Sequence, residues 1–136
     1  MPYIKSTARQ RLACKGHGAM DAGELNYLIT RELIQYTSSE KSSSALAILE
    51  ENVKTIINRY CENIGFKYQT ANDVVGALVS AGLELLRRLG EDKNLDAVQV
   101  LQNILLCFYD SIVAPYEDKK IQENGDVYES IGEEKK

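Results

Sequence analysis

Apolar residues recur at intervals of three and four along four consecutive stretches of this chain. That spacing marks one face of a 3.6-residue helix, and it restricts the fold to helices packed on helices. Leu25, Leu28, Ile29, Leu33 and Tyr36 form the first such face. Leu46, Leu49, Val53, Ile56, Ile57 and Tyr60 form the second. Val74, Val75, Leu78, Val79, Leu85, Leu86 and Leu89 form the third. Val98, Leu101, Leu105, Phe108 and Ile112 form a narrow fourth seam, widened by Leu95, Val100, Ile104 and Leu106, so more than one neighbour should cover it.

Helix boundaries are written between these faces. Asp21 reads as an N-cap with Glu24 completing a capping box. The Ser-rich stretch from Thr37 to Ser44 ends the first helix, and Ser43 or Ser44 starts a second that runs to about Asn63. Gly65 is its stop. Thr70 and Asp73 have capping-box spacing for the third helix, which Arg87, Arg88 and Gly90 close. Asn94 or Asp96 opens the fourth. Pro115 cannot continue a helical ladder without a kink, so residues 115–124 should be a new, short polar helix ending at Gly125. Lys5 to Cys14 is a further short helical candidate, broken by Gly16-His17-Gly18. The expectation is an all-α bundle of four to five helices over residues 21–128. A basic segment, 1–20, precedes it and a frayed tail, 129–136, follows.

Charge is distributed unevenly. Lys and Arg number 16 against 20 Asp and Glu, a formal charge of −4, yet residues 1–20 carry four bases and no acid. Residues 117–136 hold seven acids and four lysines. An acidic chain argues against extended nucleic acid as a partner, although a local basic patch can still hold one nucleotide. No apolar run approaches a bilayer span, since Tyr109 and Asp110 interrupt the longest, Ile104 to Phe108. Nor does the N-terminus carry a hydrophobic signal core. These features predict a cytoplasmic protein with no membrane partner.

Catalytic signatures are sparse. The three cysteines, Cys14, Cys61 and Cys107, stand far apart with a single histidine, His17, so neither a zinc site nor a disulfide framework is written. Cys61 and Cys107 fall within helical patterns and read as small buried residues. Glu84, Glu91 and Asp92 bring to mind the metal-binding carboxylates of all-helical nucleotide pyrophosphatases. Such a site needs several acids projecting from facing helices, and Glu84 has no acidic neighbour on its helix. A non-enzyme without metal or cofactor is expected.

Binding signatures are stronger. There are eight tyrosines and no tryptophan. Tyr27, Tyr109, Tyr116 and Tyr128 lie in or beside helices, where a ring can stack while its hydroxyl meets a polar partner. Arg87-Arg88 and Lys119-Lys120 are the basic doublets, and with Arg31 and Asn26 they are the candidate contacts to a phosphate-bearing ligand. Gly76, Ser80, Ala81 and Gly82 allow another helix to approach the third helix closely. The apolar surface on 74–89 and 95–113 is ample for so small a chain, which predicts a homodimer or higher oligomer.

Three short motifs point to a family. Met1-Pro-Tyr-Ile-Lys5, Gly23-Glu-Leu-Asn-Tyr-Leu-Ile-Thr30 and the stretch from Val113 to Tyr128 resemble the hallmarks of a small bacteriophage and bacterial family without an established activity. The family pattern places an Arg-Arg pair just before the Val-Ala-Pro-Tyr run. This chain has Asp110-Ser111 there and carries its pair at Arg87-Arg88. The resemblance implies a phage origin and work inside a bacterial host cell. Two functions are then expected: sequestration of a small nucleotide-like signalling ligand to counter host defence, or a protein-interaction module that engages a host protein or serves phage assembly.

Overall fold

The computed structural model describes residues 4–13, 18–38, 43–90 and 95–126. Among them there are only helices, in five stretches: α1 (Ser6–Ala13), α2 (Ala22–Ser38), α3 (Ser43–Ile64), α4 (Tyr68–Leu89) and a last one, Leu95–Asn124. The last comprises α5 (Leu95–Phe108), a π turn (Tyr109–Val113) and α6 (Ala114–Asn124). Contacts divide the chain between Leu105 and Leu106 into two compact units.

In the first unit α2 is central, packing most extensively on α4 and next on α3. Leu25, Ile29 and Leu33 are wholly shielded from water, as are Val53 of α3 and Val74 and Ala81 of α4. Each large aliphatic side chain so buried contributes about 1.5–3 kcal/mol from its removal from water. Leu101 and Ala97 of α5 are also buried. Leu101 approaches α4 at Gly82, where an added Cβ would lie 3.5 Å from its Cδ1.

The α2 cap uses the expected residues with a different partner. Asp21 Oδ1 accepts from the Glu24 amide at 2.8 Å. Glu24 Oε1 accepts from the Met20 amide at 3.0 Å rather than from that of Asp21. Arg11 of α1 donates to the same Glu24 oxygen and, at 3.1 Å, to the Gly18 carbonyl. Burial alone would raise the Glu24 pKa, but the Arg11 hydrogen bond, the Met20 amide and the Arg11 charge together outweigh it and hold it low.

Thr70 does not cap α4. The helix begins two residues earlier, after an extended Lys67, because the chain has already reversed at Gly65 (φ +84°). Thr70 is fully buried and donates to the Gly65 carbonyl at 2.6 Å. Asp73 instead accepts from the Tyr60 hydroxyl at 2.6 Å and from Gln69 at 2.8 Å, fastening α3 to α4. Burial, and then the Asp73 bond and charge, push the Tyr60 phenol well above its ordinary range.

Pro115 does not interrupt the helix as expected. Phe108, Val113 and Ala114 all keep right-handed helical angles, and the π turn lies just upstream of the proline. A π turn shifts hydrogen bonding to the fifth residue back, which relieves the missing proline N–H and its ring clash without a break. The result is a stretch, Leu95–Asn124, that by length and composition alone is apolar enough to cross a membrane. Tyr109 and Asp110, expected to end the apolar run, lie within this stretch, on the π turn. Leu95 and Leu106, expected to be covered, are 59% and 63% exposed.

Candidate ligand-binding cleft between α2 and α4

Tyr27, Thr30, Arg31, Ile34 and Gln35 follow one another at helical spacing and form a stripe along α2. Glu84 and Arg88, one turn apart on α4, face it. Together they line an open cleft of about 330 Å³. Ile34 and the Tyr27 ring supply apolar surface, and the other residues supply hydrogen-bonding groups.

Glu84 is the electrostatic centre of the α4 wall. Its carboxylate accepts from Arg87 at 2.7 and 3.2 Å and from the Arg88 Nε at 2.6 Å. Those hydrogen bonds, against the opposing effect of burial and with the help of the two positive charges, hold its pKa at about 2. It is therefore ionised at any physiological pH.

Arg31 is held differently. Its guanidinium carbon lies 5.8 Å from the centroid of the Tyr27 ring, a cation–π distance. Its Nε is shielded from solvent and has no hydrogen-bond partner among the described residues. A shielded N–H left unmade costs about 1–3 kcal/mol, so the side chain carries unused donor capacity. Thr30 is buried, and its hydroxyl donates to Asn26 Oδ1 at 3.0 Å, one turn back on α2. In an acidic chain this cleft is lined by two arginines, Arg31 and Arg88, and Arg87 joins Arg88 on the Glu84 carboxylate.

Of the residues singled out in the sequence, Tyr27, Arg31 and Arg88 line the cleft. Arg87 grips Glu84 but remains 65% exposed, and Asn26 supports Thr30 from below. Tyr109 is exposed on the π turn of the second unit. In the same unit the Lys120 ammonium sits 5.5 Å from the Tyr116 ring centroid and 3.3 Å from Glu123, while Lys119 is exposed. Tyr128 lies outside the described residues, as do Cys14, His17, Glu91 and Asp92. Thr30, Ile34 and Gln35 carry no sequence signal of a site, and Glu84, weighed in the sequence only as a metal-binding carboxylate, instead lines this cleft. The signal for Glu84 was its spacing of three and four residues from Arg87 and Arg88.

No group of three or more His, Cys, Asp or Glu side chains able to hold a metal occurs among the described residues. Of the cysteines expected to be buried, Cys61 is half-buried, with a thiol raised by burial and then by the Glu62 charge. Cys107 is exposed, its sulfur 4.0 Å from the Ser111 hydroxyl. Its place on the helix faces solvent, so its residue type was a poor guide to burial.

Comparison with known proteins yields one relationship. A family model, described as a domain of unknown function, matches residues 1–95. That range includes the whole cleft and the first two sequence motifs, while the stretch from Val113 to Tyr128 falls beyond it. No curated protein and no solved structure matches the chain.

Proposed function

Taking the chain as what it belongs to, the DUF6899 family, we propose that it binds, without chemically altering it, a small ligand combining a flat aromatic face with an anionic group. A nucleotide is the simplest molecule of that kind. The observation that carries this reading is Arg31: a cation at the cleft, over the Tyr27 ring, with neither a carboxylate partner nor an acceptor for its Nε among the described residues. An entering phosphate offers that guanidinium the acceptor it lacks, and a base offers Tyr27 a stacking surface. The cleft volume favours one base and one phosphate group over a larger ligand. In the bacteriophage setting implied by the sequence motifs, the role is sequestration: lowering the free concentration of a host nucleotide signal.

The test is a thermal-shift and calorimetric titration of the full chain with nucleoside monophosphates, diphosphates and cyclic dinucleotides. A ligand that binds only the folded state stabilises it by about 2.7 kcal/mol at a hundred times its Kd. At least one nucleotide should raise Tm, and Arg31→Met should abolish the shift while leaving the unliganded fold intact. A shift that survives both Arg31→Met and Tyr27→Ala, or no shift with any nucleotide, would overturn the reading.

The competing reading, a protein-interaction module, draws on a different place. Leu106, Tyr109 and Ile112 of the second unit are 63%, 49% and 37% exposed at helical spacing. Such a cluster is the kind of surface protein partners cover.

A further inference from the structure

α4 buries Val74, Ala77, Leu78, Ala81 and Leu85 on its inner side. On its opposite side Asn72, Gly76, Val79, Leu83 and Arg87 are all exposed. These follow one another at intervals of four, three, four and four, close to the heptad spacing that places side chains along a seam with another helix. A surface helix normally ends its apolar stripe where the core ends. Here Leu83 is 62% exposed and Val79 45%. Beside them runs a groove of about 250 Å³ in which Val79, Leu83 and Leu86 of α4 face Val98, Gln102 and Leu105 of α5.

The stripe is complementary to itself. Leu83 projects; Gly76, two turns earlier on the same side, is a gap, with nothing within 4 Å of where a Cβ would stand. Two turns span about 10 Å of helix. A twofold axis between Val79 and Ser80 sets each Leu83 over the Gly76 of the other copy, as an isologous contact requires. The missing Cβ lets the two backbones approach closely at that point. The same axis runs the helices antiparallel, so the Arg87 end of one copy meets the Asp73 end of the other and the helix dipoles oppose. A parallel pairing would instead stack leucine on leucine, gap on gap and arginine on arginine. Shape and charge therefore fit a second copy of this helix in the antiparallel orientation.

We infer that the outward face of α4, with its groove against α5, is a homodimer interface in which two copies of α4 pair antiparallel about an axis between Val79 and Ser80.

The experiment is light scattering and sedimentation equilibrium on the full chain, with circular dichroism to verify folding. The wild type should be a dimer. Leu83→Glu should raise the dimer dissociation constant about a hundredfold or more, since it buries two carboxylates against a gap shaped for leucine. Gly76→Lys should do the same by filling the gap. An equimolar mixture of the two variants should dimerise again, because antiparallel pairing brings the introduced carboxylate onto the introduced ammonium. Should either variant fold poorly, Val79→Lys at the axis is expected to give a folded monomer. A monomeric wild type, a Leu83→Glu protein that stays dimeric, or a mixture that stays monomeric would overturn the proposal.

Discussion

Among the described residues two glutamates are buried, Glu24 and Glu84, and both are gripped by arginine. They do different work. Glu24 takes its arginine from another helix, thirteen residues away, and also binds the Met20 amide. It joins α1 and Met20 to the first turn of α2. Glu84 takes two arginines from its own helix, three and four residues ahead, and joins no other element through those bonds. The first carboxylate is a tertiary fastening. The second shapes the charge of a cleft. An ion pair's role follows from which elements its partners belong to more than from how buried it is.

The largest test of this contrast is stability. Glu24→Gln leaves the Arg11 guanidinium and the Met20 amide short of an acceptor. It should cost about 2–3 kcal/mol, below the value for a fully buried pair because Arg11 is 32% exposed. For a chain of this size that lowers Tm by roughly 10 °C in a thermal melt. Glu84→Gln should lower Tm by distinctly less, since Arg87 and Arg88 then turn to water. If the two variants melt together, the contrast is wrong.

An acid titration of stability sharpens it. Both carboxylates have folded pKa values below the ordinary glutamate value of 4.5, so each stabilises the fold above that pH. The Glu84 contribution is complete above pH 4.5 and lost as pH falls towards about 2. Denaturant midpoints of the wild type should therefore decline across that window, and those of Glu84→Gln should decline less steeply. A variant profile parallel to the wild type would remove Glu84 from the account.

The smallest effect is that of salt. Arg87 and Arg88 are 65% and 45% exposed, against 32% for Arg11. Raising ionic strength should weaken the Glu84 cluster more than the Glu24 fastening. The destabilisation caused by Glu84→Gln should shrink in 1 M salt, while that of Glu24→Gln is largely retained.

The same contrast explains what could be read from the sequence. Helical faces follow a local period, so α2, α3 and α4 were legible, as was the pairing of Asp21 with the Glu24 amide. Glu84 with Arg87 and Arg88 was legible in principle, because spacings of three and four are local. Arg11 on Glu24, Tyr60 on Asp73 and the approach of Tyr27 and Arg31 to Arg88 were not. Each depends on which helices the bundle sets side by side, and no periodicity encodes that. Pro115 misled for the opposite reason: its local rule is strong, and a single π turn is enough to accommodate it.

The Glu24 fastening also has a consequence for motion. The Met20 amide is bonded to a side chain rather than to a helical carbonyl. It can therefore be exposed when the Arg11–Glu24 fastening opens, while the rest of α2 stays folded. Detachment of α1 is then a local opening, distinct from unfolding of the α2–α4 core. In hydrogen exchange the Met20 amide should become labile at a free energy below that of the α2 interior, and it would serve as a single-residue gauge of how often the N-terminal helix lets go.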